Sequence, residues 1–182
     1  RPRLRRRIAD LVDRFGVEWV LGSAGSGTTT HLAGELLNME AGIKLVHVPY
    51  RGAAPALTDL LGGHVQALLP DLPAVLEQIK SGAVTGLAIT SPQRSPFVSE
   101  LPTTTELGLP QVISYSFYGL IAPAGTAADI RKRVHDAATA ALASPEVIKQ
   151  IAAIGGAPTP GTAEDYAKLI GDEQKKWKRV IE

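Results

Sequence analysis

Two rhythms of apolar residues alternate along this chain. Short buried runs, Glu18 to Leu21, Ile43 to Val48, His64 to Leu69 and Val84 to Thr90, read as strands. Between them the apolar positions take helical spacing: Leu32, Ala33, Leu36 and Leu37 from Thr29 on, then Leu57, Leu60 and Leu61 after Pro55, then Val75, Leu76 and Ile79 after Pro73. Gly42, Gly62-Gly63 and Ser81-Gly82 end these helices, Pro49-Tyr50-Arg51-Gly52 is a turn, and Pro70-Asp71 breaks the third strand. An earlier helix, carried by Ile8, Leu11, Val12 and Phe15, is stopped by Gly16. The recurring order of strand, loop, helix and glycine predicts a parallel sheet flanked by helices, an α/β fold. Right-handed crossovers put the strand-to-helix loops on one edge, and ligands of such sheets lie beyond the carboxyl ends of the strands. Three loops meet that description: Ser23 to Thr30, Pro49 to Pro55 and Pro70 to Pro73.

The second half has a different rhythm. Ser91 to Pro110 is loop-rich, with prolines at 92, 96, 102 and 110, and Ser114 to Ala122 reads as a strand carrying Tyr115, Phe117 and Tyr118. Past Leu120 the pattern is almost purely helical. One helix runs from Ala127 to Leu142, a second from Pro145 behind a Ser144 cap to Gly155-Gly156, and Ala157 to Pro160 is extended. A terminal helix, opened by Thr162 and Asp165 as in a capping box, carries Tyr166, Leu169, Trp177 and Ile181. The change predicts that the chain leaves one α/β layer and packs helices elsewhere.

Composition narrows the chemistry. At 182 residues the chain suffices for one substantial domain, or one lobe and part of another. A net charge of +1 gives no broad field for nucleic acid. Arg1 to Arg7 carries five arginines but no aromatic residue, which favours a solvated end over a nucleic-acid or membrane patch. The absence of cysteine excludes disulfides, thiol catalysis and thiolate metal sites, and suits an exported protein. No apolar run is long enough to span a membrane. The first residue is arginine rather than methionine, so the chain is read as processed or truncated, and any signal peptide lies outside this sequence. His47 and His64 fall in strands and His135 in a helix, without metal-ligand spacing, so no metal or cofactor is expected.

The candidate chemistry lies in the stretch Leu21-Gly22-Ser23-Ala24-Gly25-Ser26-Gly27-Thr28-Thr29-Thr30-His31. Its glycines free the backbone, its threonines cap the helix that follows, and the free N–H groups and positive end of that helix favour a carboxylate or phosphate. A P-loop would need lysine where Thr28 stands, and a dinucleotide fingerprint a glycine where Thr30 stands. Ala24 and Thr28 occupy the positions of the two glycines of a nucleophile elbow, so Ser26 is not read as a hydrolase serine. Asp71 has no second acid at a motif spacing, which argues against a paired-carboxylate hydrolase. His31, on the first helical turn, hydrogen-bonds a ligand or fixes the loop, with the loop favoured. Tyr50 and Tyr118 line a cleft or pack in a core.

Ser26-Gly27-Thr28, His31-Leu32-Ala33-Gly34-Glu35-Leu36, Val46-His47-Val48-Pro49-Tyr50-Arg51-Gly52 and Asp59-Leu60-Leu61-Gly62-Gly63 resemble the Bug family, TctC-like solute receptors of tripartite tricarboxylate transporters. Ile79-Lys80-Ser81-Gly82, Leu87-Ala88-Ile89-Thr90-Ser91, Leu101-Pro102-Thr103 and Ala122-Pro123-Ala124-Gly125-Thr126 extend the match. The resemblance implies a two-lobed, periplasmic-binding-protein-like (type II) fold, and a receptor rather than an enzyme. Such a receptor closes on a small mono-, di- or tricarboxylate or an acidic amino acid and hands it to two membrane subunits. It places the ligand carboxylate at Ser26, Gly27 and Thr28, with Asp71 in the cleft selecting an amino or hydroxyl group or acting through water; Ser23, Thr29, His31, Tyr50 and Tyr118 complete the candidate set read from the residues. The family's Pro-Gly-Gly loop of the opposite half has no counterpart here. The chain is therefore expected to comprise lobe two over residues 4–112, then a hinge strand and helices returning to lobe one over residues 113–182.

Two other readings compete. One is a nucleotide- or phosphate-dependent enzyme built on the Gly22 to Thr29 loop, which the missing lysine opposes. The other is a signalling or interaction module, in which apolar helix residues such as Ile148, Ile151 and Leu169 are covered by a partner or by a second copy of the truncated chain.

Overall fold

A computed structural model describes residues 19–153 and 155–182. The arginine-rich start, the helix expected over Ile8 to Phe15 and the Glu18 end of the first strand lie outside the described residues. The described part forms two compact units, one running through Ser116 and including Arg179–Glu182, the other Phe117–Lys178.

The first unit is an α/β layer. Strands β1 (Val20–Ser23), β2 (Val46–Pro49) and β3 (Ala67–Leu68) form a three-stranded sheet in the order β2-β1-β3. Both pairings are parallel, with Ser23 opposite Pro49 and Gly22 opposite Leu68. Helix α1 (Thr29–Ala41) follows β1, α2 (Ala53–Leu61) follows β2, and a 3-10 turn (Leu72–Ala74) leading into α3 (Leu76–Lys80) follows β3. All three strands therefore deliver their following loops to the same edge.

The core explains the order. Leu21 from β1 packs with Leu37 and Ala41 of α1, Leu45, Leu109 and Val112, and Leu36 is fully buried. Gly42 closes α1 in the left-handed conformation (φ 63°), giving its amide to Asn38 O, and the Asn38 side chain holds the Leu45 amide at 3.0 Å. Gly34 lets α1 approach β1, since a Cβ there would run into Leu21 Cδ2.

Two expected strands do not form. Val84 to Thr90 makes only an isolated parallel bridge between Ile89 and Thr103. Its backbone is spent on the following loop: Ile89 N donates to Pro102 O, Thr104 N to Ile89 O and Ser114 N to Thr90 O, at 2.9 to 3.0 Å. Ser114 to Ala122 joins no ladder among the described residues, and Tyr118, Leu120 and Ile121 are 91, 71 and 85 % exposed. Apolar β-formers need a neighbouring strand to become a strand. β2 begins three residues later than the apolar run proposes, and β3 keeps only two residues of its run, because the ladder to β1 decides their length.

The Ser91 to Pro110 excursion is tied by one ion pair. Arg94 Nε reaches both carboxylate oxygens of Glu106 at 3.0 Å, Arg94 Nη1 donates to Ser99 O, and Thr103 N donates to Glu106 Oε2 at 2.7 Å. The Arg94 guanidinium, then the Thr103 amide, hold Glu106 below the usual carboxylate value. Its contribution is therefore present at neutral pH and lost as acid protonates it through that lowered value. Glu106→Gln should flatten part of the acid limb of a melting-temperature profile below about pH 5. A limb identical to wild type would show that this pair carries no stability.

The second unit holds helices α4 (Ala128–Leu142), α5 (Pro145–Ala153) and α6 (Ala163–Ile181). None of the three buries a residue fully. The capping box is made: Thr162 N donates to Asp165 Oδ2 at 3.0 Å and Asp165 N to Thr162 Oγ1 at 3.1 Å. Phe117 meets Tyr166 edge to face at 6.2 Å. Ile148 is exposed, whereas Ile151 and Leu169 are half-buried. Among the described residues no helix is long and apolar enough to cross a membrane.

Candidate functional site

The loop between β1 and α1 is built by its own hydroxyls. Thr28 is the N-cap: its Oγ1 accepts from His31 N at 3.4 Å, donates to Gly25 O at 2.6 Å and lies 2.9 Å from Thr30 Oγ1. Thr30 Oγ1 in turn accepts from Ala24 N at 3.0 Å. Gly25 and Gly27 take φ of 139° and 75°, a region side chains oppose, and no atom lies within 4 Å of where a Gly27 Cβ would stand.

The amide inventory corrects one expectation. The Gly27 amide is not free: it donates to His31 Nδ1 at 3.1 Å. Thr28 N donates to Gly25 O and Gly25 N to Ser23 Oγ. Among the described residues, the amides of Ser26, Thr29 and Thr30 have no protein acceptor, and neither do the hydroxyls of the exposed Ser26 and Thr29 have a partner. These are the donors that the start of a 13-residue helix offers to an anion.

Ser23 is the second correction. It is 2 % exposed, its hydroxyl lies 2.6 Å from His47 Nε2, and it faces the loop rather than solvent. Thr28 likewise spends its hydroxyl on the loop. Tyr50 gives its hydroxyl to Asp59 Oδ2 at 2.6 Å and its amide to Ser23 O at 3.0 Å, so it braces the loop from the neighbouring strand. That bond keeps the Tyr50 phenol above its ordinary value and, with His64, holds Asp59 below its own. Asp71, exposed beyond β3, accepts from the Ser116 hydroxyl at 2.8 Å. Tyr118 belongs to the second unit and is 91 % exposed.

His47, read from the sequence as a structural or surface residue, is structural, though the sequence does not place it at this loop. Its ring stacks on that of His31 at 3.9 Å between centroids and 21° between planes. Burial first, then the neighbouring His31, hold His47 below the ordinary imidazole value, with Glu35 opposing. Nothing local marks it; only the register placing it opposite Leu21 brings it under α1. Among the described residues no group of three or more His, Asp or Glu side chains is placed to hold a metal ion.

Comparisons with known proteins show the family and the fold. Residues 16–182 match the model of the tripartite tricarboxylate transporter family receptor. The chain is 37 % identical over 155 residues to protein BugT of Bordetella pertussis, covering 85 % of this chain and 48 % of that one. The chain thus spans about half the length of that relative. In structure it is similar to R. palustris Rpa4515 with adipate (TM-score 0.80, 32 % identity, 95 % of this chain and 59 % of that one). It is also similar to MatC from Rhodopseudomonas palustris with bound malate (TM-score 0.79, 27 % identity, 97 % and 61 %).

Proposed function

The chain belongs to the tripartite tricarboxylate transporter receptor family, and from that premise we propose that its β1–α1 loop is the carboxylate-holding half of a periplasmic solute receptor. The observation that carries this is the set of unpaired donors at one helix start, the amides of Ser26, Thr29 and Thr30 with the hydroxyls of Ser26 and Thr29. Amides fixed by a finished hydrogen-bond network cost nothing to reorganise when an anion arrives, and the helix dipole adds to them. Gly27 contributes its turn and its open space. Asp71, on the same sheet edge, accepts from an amino or hydroxyl group of the ligand. Adipate and malate, bound by the two R. palustris neighbours, support a small dicarboxylate, with or without a hydroxyl, as the ligand. The complete receptor carries a signal peptide in its precursor and delivers the acid to two membrane subunits. In that receptor the described residues up to 112 belong to lobe two and residues 113–182 return to lobe one.

A thermal-shift panel of mono-, di- and tricarboxylates and acidic amino acids on the full-length protein tests the reading. An acid at about a hundredfold over its Kd should add about 2.7 kcal/mol to the unfolding free energy. If none of the panel raises the melting temperature while Mg-ATP does, the receptor reading is lost.

A further inference from the structure

The Gly27 amide is occupied by an internal acceptor, His31 Nδ1 at 3.1 Å. An imidazole nitrogen accepts only while unprotonated; once it carries a proton it becomes a donor. Three things then change in the same direction for an anion at this helix start. The Gly27 amide is given up, a second N–H appears beside it, and a positive charge stands next to the loop. We propose that His31 is a stand-in for the ligand carboxylate, so that binding of the acid takes up a proton and tightens as the pH falls. The inference rests on the carboxylate reading of the loop and adds its regulation.

The surroundings decide where the proton goes. His31 is faced by the His47 ring from β2, by the Glu35 carboxylate one turn on in α1, with Oε1 3.8 Å from His31 Nε2, and by the Gly27 amide. Two charged rings stacked at 3.9 Å would repel, so the pair takes one proton rather than two. His47 is the ring that stays neutral, because it is desolvated and already engaged with the Ser23 hydroxyl at 2.6 Å. His31 has the carboxylate behind it and the loop in front of it, so a charge there is shared between Glu35 and the incoming acid. His47 thus acts as a positioning residue: its ring holds His31 against the Gly27 amide.

Calorimetry on the full-length protein tests this with adipate and malate or, failing both, with the acid giving the largest thermal shift. Titrations in two buffers of different ionisation enthalpy count the protons. The affinity should rise about fivefold between about pH 8 and about pH 6, a range in which imidazole titrates and these acids stay largely ionised. A fraction of a proton should enter with each ligand. His31→Gln, which can still accept from the Gly27 amide but cannot titrate, should flatten the profile and abolish the uptake. Glu35→Gln should keep the profile but move it to lower pH, and it serves if the first variant does not fold. Binding that is pH-independent in wild type, or weaker in acid, overturns the stand-in role and leaves the carboxylate reading intact. Absence of binding by any acid at any pH overturns both.

Discussion

Gly34→Val is expected to cost about 3 kcal/mol of unfolding free energy, the largest stability effect of any single substitution considered for this loop and its helix. Glycine inside a helix is ordinarily a weakness, and alanine there would gain about 1 kcal/mol from propensity alone. Here a Cβ meets Leu21 Cδ2, with Leu69 Cδ1 at 3.9 Å behind it. Leu21 is 2 % exposed and locked among Leu37, Ala41 and Val112, so it cannot turn away. Overpacking of this kind costs about 1 to 3 kcal/mol, which outweighs the propensity gain. Valine adds two methyl groups and recovers little propensity, so its cost sits at the top of that range or beyond. Relief comes from α1 moving off β1, and the first turn of α1 carries the Thr29 and Thr30 amides. Urea titration should therefore show the loss of stability, and the carboxylate-induced thermal shift should shrink with it. A Gly34→Val protein as stable as wild type would mean that α1 does not lie this close to the central strand.

The largest functional effect is expected from Thr28→Val. The exchange keeps the shape and removes one hydroxyl, which caps His31 N, donates to Gly25 O and lies against Thr30 Oγ1. Loss of an N-cap costs about 1 kcal/mol of helix stability. The functional loss is larger, because Thr30 also holds Ala24 N, so both ends of the loop are released together. Affinity for a bound dicarboxylate should fall about tenfold or more, the equivalent of about 1.4 kcal/mol. Thr28→Ser retains the hydroxyl and should recover most of the affinity. If valine and serine bind equally well, the hydroxyl network does not set the amides, and the donors of Ser26, Thr29 and Thr30 are positioned by other means.

How much of this could be read from residues alone differs between the two halves of the chain. In the first half, Gly42, Gly62-Gly63 and Ser81-Gly82 close helices that end at Ala41, Leu61 and Lys80. Thr28 sits at the N-cap, and the loop lies where a strand-to-helix crossover must put it. These features are local: a cap, a glycine at positive φ and an apolar stripe each act within a few residues. Val84 to Thr90 and Ser114 to Ala122 carry equally good β-formers and make no strands, since a strand exists only through its neighbour.

The sequence by itself determined the parallel α/β layer, the edge on which its loops gather and the family to which it is similar, because periodicity, punctuation and motif order are written residue by residue. The tertiary structure alone decided which donors of the loop are free. Ser23 reads as a ligand hydroxyl until β2 pairs with β1 and brings His47 to it. Gly27 reads as a free amide until the first turn of α1 swings His31 back over it. A hydrogen-bond donor is available only if nothing nearer has taken it, and what is nearer is settled once the chain is folded: by the pairing of β2 with β1 for Ser23, and by the first turn of α1 for Gly27.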